Sequence, residues 1–290
     1  EEAMAVLSPK QVEQFWRDGY IVAEGGATPT QLASLNAELD RWVDESRAQQ
    51  ANYGRLVDGK ARFDLGPGHS ASTPRLRRIA NPAEVSEIYR DAIFNAPMVD
   101  MVADLIGPNV KFHNCKLNIK LPRSDQKVGY HQDHPYDPHT NDDVIVCLLM
   151  LTDMTLENGC LMVVPGSHVA ERHSLYQDGR YTGQIAEDAM PDILRRLVPV
   201  TGKAGSVCLQ HTWLVHGSGG NRSEQARNLF IASFTAADAF PLTPPAVASA
   251  MCGTIVRGKA TRVARLQATT LELPTPYTGD SCLGLQELAN

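Results

Sequence analysis

The sequence contains no C-x-x-C pair, no apolar run long enough to cross a bilayer, and no surplus of basic charge. Each absence removes a class of protein. The six cysteines, Cys115, Cys147, Cys160, Cys208, Cys252 and Cys282, are scattered and mostly sit inside apolar runs, so neither a disulfide framework nor a zinc knuckle is expected and they read as reduced core residues. The longest apolar run, VIVCLLMLT from Val144 to Thr152, falls far short of the roughly 20 residues that span a membrane. No charged-then-apolar signal opens the chain, which points to a soluble, cytoplasmic protein with no membrane contact. With 27 basic against 33 acidic residues and a net charge of −6, there is no electrostatic footprint for nucleic acid. Small-molecule chemistry remains. The 290 residues, 43% hydrophobic, suffice for a sizeable core, read as one domain over residues 1–290 in a monomer or homodimer.

The N-terminal part, about 8–107, is helical in its signals. Ser8-Pro9-Lys10-Gln11 and Thr28-Pro29-Thr30-Gln31 each combine an N-cap, a proline at the first helical position and a capping-box glutamine. Gly19 stops the first helix, YIVAEGG reads as a short strand, and the second helix runs to about Val43. Two more helical pieces occupy 83–106, interrupted near Asn95-Ala96-Pro97 and ended by Gly107-Pro108. From about 110 to 240 the pattern changes to short β-rich runs separated by turn signals, the pattern of a barrel or sandwich, with SVCLQHTWLVHGSG taken as one strand-like run. Asn158-Gly159 is the strongest hairpin signal. A polar excursion, about 169–196, separates two of these runs and is too long for a simple connection, so it is expected to be a substrate lid; an ordinary surface loop ending in a helix near Asp192 is the alternative. The tail, about 241–290, offers no repeat and no clear element.

The stretch GYHQDHPYDPHTNDD, residues 129–143, packs three histidines and four acids into fifteen positions. His131 and Asp133 are two apart, so on an extended segment they share a face and can share one ion. A bare H-x-D also suits a hydrogen-bonded surface turn, and a third ligand is required. His211 and His216 are the candidates; their odd spacing puts them on opposite faces of a regular strand, and His216, at the strand end before Gly217-Ser218-Gly219, has the more open backbone. Two histidines and one aspartate on one side of an ion form the facial triad of non-haem Fe(II) oxygenases. Arg227 follows His216 across a Gly/Asn turn at the start of NLFIASF, where a returning antiparallel strand brings it back toward the metal and lets it hold the far carboxylate of a 2-oxo acid.

Taken together, LSPKQVEQFWRDGYIV, YHQDHPYDPHTNDDVIV, ENGCLMVVPGSH and LVHGSGGNRSEQAR make the chain similar to the phytanoyl-CoA dioxygenase-like branch of Fe(II)/2-oxoglutarate-dependent oxygenases. The resemblance covers nearly the whole chain except parts of the lid and the tail. It implies a mainly β fold with flanking α-helices, a double-stranded β-helix (jelly roll, cupin-like) preceded by N-terminal helices. It implies iron ligation by His131, Asp133 and His216, and binding of the 2-oxoglutarate C5 carboxylate by Arg227 assisted by Ser218. The implied reaction consumes O2 and 2-oxoglutarate, releases succinate and carbon dioxide, and hydroxylates an unactivated C–H bond of a small metabolite or natural-product intermediate. Asp133 itself argues for hydroxylation, since a halogenating relative has a small residue there; desaturation and ring closure stay open.

Other positions are candidates on weaker grounds. Asn118 and Lys116 lie on a neighbouring strand within reach of the cosubstrate, and Gln132 sits between two ligands although an extended backbone turns it away. His134, Tyr136 and His139 follow the metal motif and line either a substrate mouth or a rigid turn set by Pro135 and Pro138. Arg172, Tyr176 and Tyr181 are the lid residues suited to contact substrate. Two other classes keep the same residues in play, a zinc-type hydrolase and a non-catalytic jelly-roll ligand-binding protein.

Overall fold

The computed structural model describes residues 6–275. Ser8 and Thr28 each close the expected capping box, and helices α1 (Pro9–Asp18) and α2 (Pro29–Ser46) begin where those signals stand; α2 ends at Ser46 rather than near Val43. Gly19 ends α1 at φ 82°, and a Cβ there would lie 2.5 Å from the Nδ1 of His168, so both conformation and space demand glycine. Strand β1 (Tyr20–Ala23) follows. Three strands then appear inside the part whose signals were helical: β2 (Tyr53–Arg55), β3 (Ala61–Leu65) and β4 (Leu76–Ala80). They are short and rich in charged residues, so they lack the apolar alternation that marks a strand in sequence. Helices α3 (Glu87–Asn95) and α4 (Pro97–Ile106) meet at Ala96, as the Asn95-Ala96-Pro97 signal indicates.

The remaining elements build a double-stranded β-helix. They are β5 (Val110–Lys120), β6 (Val128–His131), β7 (Val144–Met150), β8 (Leu161–Val163), helix α5 (Ser167–Ala170), β9 (Tyr176–Gln177), β10 (Arg180–Tyr181), α6 (Met190–Arg196), β11 (Val198–Val200), β12 (Val207–His211), β13 (His216–Ser218), β14 (Arg227–Ala236) and β15 (Ile255–Arg257). The large antiparallel sheet runs β1-β12-β7-β14-β5-β4-β3-β2, with β15 also on β5; the smaller runs β11-β8-β13-β6. In β7, Ile145, Cys147 and Leu149 pack toward the helices while Val146, Leu148 and Met150 pack toward the small sheet. Both faces are covered, which is why VIVCLLM is apolar throughout instead of alternating. On the helix side Tyr89 stacks on Trp42 at 5.2 Å and donates its hydroxyl to the Leu35 carbonyl at 2.9 Å, locking α2, α3 and the sheet together.

Three local expectations change. SVCLQHTWLVHGSG is two strands in different sheets: β12 belongs to the large sheet and β13 to the small one, and the turn between them, Thr212 to Val215, crosses the barrel. The Asn158-Gly159 turn does not make a hairpin, because β7 and β8 lie in different sheets; Gly159 is instead required by φ 75° and by Gly220, whose carbonyl oxygen would be 2.6 Å from a Cβ. The tail supplies β15, paired to β5. Among the described residues all cysteines are free, four of them buried; Cys282 lies outside the described residues. No helix among them is long and apolar enough to cross a membrane.

Buried neutral histidines set the acid limit of this fold. Burial, with His168 and Arg172 nearby, pulls His211 from its ordinary 6.5 down to about 3, and burial with His113 pulls His139 down to about 4. In the unfolded chain both titrate near 6.5, so below that pH the unfolded state binds more protons than the folded one. Stability is therefore present above about pH 6.5 and lost as the pH falls toward 4. We expect the urea midpoint of the metal-free protein to fall steadily from pH 7 to pH 5, with a shallower fall in His211→Phe; a flat profile in the parent protein contradicts this.

Candidate active site

His131 ends β6 and His216 begins β13, and the antiparallel register sets them directly opposite one another with ring centroids 4.3 Å apart. Asp133 lies just beyond β6 and brings its Oδ1 to 3.4 Å from His131 Nε2 and 3.7 Å from His216 Nε2. The Nδ1 of His131 is 2.7 Å from the Gly129 carbonyl and that of His216 is 2.9 Å from the Leu214 carbonyl. A carbonyl only accepts, so each Nδ1 carries the hydrogen and each Nε2 of the neutral ring is a bare lone pair. Burial pulls His216 down to about 4 in spite of Asp133, which keeps it neutral. Burial works to raise the Asp133 carboxyl, and positive charge on the side of His216, His131 and Lys116 draws it well below the usual carboxylate range, which is the charge a bound cation would supply. Two nitrogen lone pairs and a carboxylate oxygen facing one another repel unless a cation lies among them. The donor set of two imidazoles and one carboxylate fits Fe(II).

Neighbours that the sequence reading did not identify hold this arrangement. Gln210, on β12 of the opposite sheet, donates its Nε2 hydrogen to Asp133 Oδ2 at 3.0 Å. Its only signal in sequence is a polar residue inside an apolar strand. Gly217 sits where β13 is clamped between β6 and β8; a Cβ would lie 2.8 Å from the Tyr130 ring and 2.9 Å from the Val128 carbonyl. The glycine after the ligand is thus a packing requirement of the strand that carries it.

A second cluster stands at the start of β14. Arg227 pairs in register with Lys120, the last residue of β5, and Lys120 Nζ donates to Ser218 Oγ at 2.7 Å and to the Gly219 carbonyl. Burial pulls Arg227 down to about 10, and burial together with Arg227 pulls Lys120 down to about 7. Arg227 is 4% exposed and has an Nε without a hydrogen-bond partner. Two adjacent buried cations with no carboxylate beside them among the described residues fit an anionic ligand, as the 2-oxoglutarate C5 carboxylate is. Lys120 was missed although its signal is legible: Lys116, Asn118 and Lys120 recur with period two, one polar face of β5.

A cavity of about 120 Å³ opens between the sheets, and its wall includes His131, Asp133, Lys116, Asn118, Tyr136 and Arg78. Asn118 keeps an unpartnered Oδ1 there, and Tyr136 stands edge-on to His131 at 5.3 Å between ring centroids. Other candidates lie elsewhere. Gln132 faces away from the triad and spends its amide on structure, donating to the Glu171 and Trp213 carbonyls at 3.0 and 2.6 Å and accepting from His173 N, so its expected cofactor contact is corrected. His134 is likewise off the cavity wall, stacked on Trp213 at 4.5 Å. Arg172 also lies over that indole, 4.1 Å from a ring centroid. Tyr176 donates to the Leu273 carbonyl at 3.0 Å, so this part of the 169–196 excursion is tied to the tail. Arg172, Tyr176 and Tyr181 line a separate depression with residues 270–272, and Tyr181 stands edge-on to Tyr136 of the triad cavity, 5.9 Å between ring centroids. Tail residues Ala246 and Val247, which carried no signal, do line the triad cavity.

Comparison with known proteins agrees with this geometry. Residues 15–229 match the family model of phytanoyl-CoA dioxygenase (PhyH). The chain is 31% identical over 273 residues to the probable alpha-ketoglutarate-dependent hypophosphite dioxygenase of Stutzerimonas stutzeri, covering 93% of each chain. It is 27% identical over 236 residues to the ectoine dioxygenase of Sphingopyxis alaskensis, covering 75% of this chain and 72% of that one. In fold it is similar to the crystal structure of EctD from S. alaskensis with bound Fe, with a TM-score of 0.70 at 24% identity over 91% of this chain and 90% of that one. The chain belongs to the phytanoyl-CoA dioxygenase (PhyH) family and is a 2-oxoglutarate-dependent non-haem iron dioxygenase, with Fe(II), 2-oxoglutarate and O2 as its cofactor and cosubstrates.

Alanine at His131, Asp133 or His216 is expected to abolish stoichiometric Fe(II) binding in anaerobic titration, while His211→Ala retains it because His211 lies on the other sheet. Gly217→Ala is expected to weaken iron binding although it removes no ligand, by displacing the strand that carries His216. Full iron binding by His216→Ala would refute the assignment of the third ligand.

Proposed function

We propose that the chain hydroxylates an unactivated C–H bond of a small metabolite carrying an anionic group. The observation that carries this reading is the pairing, in one barrel, of three converging metal-ligand atoms with two buried basic side chains lacking a counter-ion among the described residues. When bound there, Fe(II), dioxygen and 2-oxoglutarate supply an oxidant able to break an aliphatic C–H bond, with succinate and carbon dioxide released. His131, Asp133 and His216 would hold the metal. Gln210 keeps Asp133 turned toward the two imidazoles. Asp133, a carboxylate at the position a halogenating enzyme would leave small, supports hydroxylation. Arg227 and Lys120, with Ser218 bonded to Lys120, anchor the C5 carboxylate, and Asn118 extends that polar face toward the metal. Val128, Val146 and Ile231 give the cavity an apolar wall that keeps water from the reacting centre.

The cavity, about 120 Å³, suits a small molecule. Arg78, 6% exposed, and Lys116 line it without an ion-pair partner among the described residues, which favours an anionic substrate group. The name of the hypophosphite dioxygenase relative refers to a small oxyanion as well. The 169–196 excursion and the tail segment around Leu273 that is bonded to it are assigned as the cover of the site, acting through the Tyr181–Tyr136 contact. The protein is assigned to the cytoplasm.

Anaerobic Fe(II) addition in the presence of 2-oxoglutarate tests the reading, because a chelated 2-oxo acid on Fe(II) gives a weak visible charge-transfer band that a zinc hydrolase or a metal-free binding protein would not. Arg227→Ala is expected to weaken 2-oxoglutarate binding by roughly 3 to 5 kcal/mol, about two to three decades or more in the concentration at which the band saturates. A parent protein that develops no band would sink the proposal, and an unchanged saturation point in Arg227→Ala would remove Arg227 as the anchor.

A further inference from the structure

The end of the cavity beyond the triad holds a group of polar side chains that neither the metal nor the 2-oxoglutarate anchor uses. His113 on β5 and Asp137 and His139 on the loop after β6 all line it, and one ring nitrogen of each histidine and one carboxylate oxygen lie within 4.8 Å of one another. We propose that Asp137 and His139 form the subsite that receives a protonated amine of the substrate, so that the substrate is a small zwitterion with its anionic group toward Lys116 and Arg78. This deepens the proposed function and rests on reading the cavity as the substrate chamber.

The hydrogen-bond inventory of the three residues carries the inference. His113 Nε2 lies 2.6 Å from Asp137 Oδ2, with Asn114 Nδ2 a further 3.4 Å donor to the same oxygen, and His113 Nδ1 lies 3.3 Å from Cys252 Sγ. Asp137 Oδ1 is buried and has no partner. His139 Nδ1 lies 2.8 Å from the Asp137 carbonyl, which can only accept, so Nδ1 carries the hydrogen and Nε2 is a bare acceptor. His139 is 3% exposed, and that Nε2 has no partner either. Two buried acceptors on one wall and no donor for them is an arrangement native proteins rarely leave unmet. The missing partner must donate. An ammonium group offers three donors, enough to serve both the free carboxylate oxygen and the imidazole nitrogen. A divalent ion fits less well, because the short contact between His113 Nε2 and Asp137 Oδ2 holds a proton where the ion would have to bind. Burial opposes charge on His113, but Asp137 raises it to about 10, so that proton stays at neutral pH. The cations on the wall, Lys116 and Arg78, supply the complementary end of a zwitterion site.

The test uses the full chain loaded anaerobically with Fe(II) and 2-oxoglutarate, and probe pairs that differ only in the amine: β-alanine and propionate, taurine and ethanesulfonate, 2-aminoethylphosphonate and ethylphosphonate. At saturating concentration at least one aminated probe is expected to raise the thermal midpoint by about 3 °C or more, while its desamino partner leaves it unmoved. His139→Leu and Asp137→Asn are expected to abolish that shift and keep the 2-oxoglutarate charge-transfer band. Should Asp137→Asn fail to fold with His113 left charged, His139→Leu decides alone. The proposal is overturned if no aminated probe shifts the midpoint, if both members of a pair shift it equally, or if His139→Leu keeps the full shift. It is also overturned if Zn(II) titration of the iron-loaded protein finds a second ion that His139→Leu loses. Each of these results leaves the band intact, so the subsite can fail while the oxygenase reading stands; loss of the band in the parent protein takes both.

Discussion

The register between β6 and β13 is the constraint on which the rest of the site depends. It places His131 opposite His216, and because side chains alternate along a strand, a slip of one residue would send one imidazole to the other face. Asp133 need then only turn back past the end of β6 to complete the set, and Gln210 reaches it from the large sheet. The distance between the two sheets is therefore part of the coordination chemistry. Val146, Leu148, Leu161, Val163, Leu229 and Ile231, packed between them, set that distance. Gly217 belongs to the same requirement, since β13 has neighbours on both sides and a ring against its backbone.

Electrostatics inside the barrel is arranged around ligands rather than around internal ion pairs. Arg227 and Lys120 are buried side by side, Arg78 and Lys116 line the cavity, and none of the four has a carboxylate in contact among the described residues. Such an arrangement opposes folding, because the buried cations lose water without gaining a carboxylate in return. Its use is that binding an anion there relieves a strain already present, so the site needs little reorganisation when a ligand enters. The histidines follow the opposite logic. Those at 211 and 216 are kept neutral by burial, whereas His113 is kept charged by its contact with Asp137. A ring of the same chemistry thus serves as aromatic packing against Phe15 and Trp16, as a bare ligand, or as half of an ion pair according to what surrounds it.

Much was legible in the sequence because it was written locally. The two capping boxes, the stop at Gly19, the change to a β pattern near Val110 and the H-Q-D and H-G-S-G segments depend only on residues a few positions apart. Arg227 was picked out by its place after His216, but β14 lies in the large sheet between β7 and β5 and is not the neighbouring antiparallel partner of β13 that the sequence suggested. What escaped depends on contacts between distant segments. The charged strands β2 to β4 are held by pairing with β5 and not by their own pattern, and the break of SVCLQHTWLVHGSG into two strands reflects a crossing between sheets that no periodicity records. The parity argument for His216 therefore named a residue that the structure does bring to the triad, on a premise of one continuous strand that the structure does not share.

By itself the sequence determined the chemistry on offer: which residues could bind a divalent ion, that a double-stranded β-helix could carry them, and that Arg227 was a candidate to hold a 2-oxo acid. Tertiary structure alone decided which of these meet. It put Lys120 beside Arg227, Gln210 onto Asp133, Gln132 onto backbone carbonyls and His134 under an indole. It also brought tail residues Ala246 and Val247, rather than Arg172 or Tyr176, onto the wall in front of the triad. The physical reason is that ligation and pairing need distances of a few ångströms among residues up to a hundred or so positions apart. Only the packing of two sheets sets such distances, and the chain's local pattern carries no term for it.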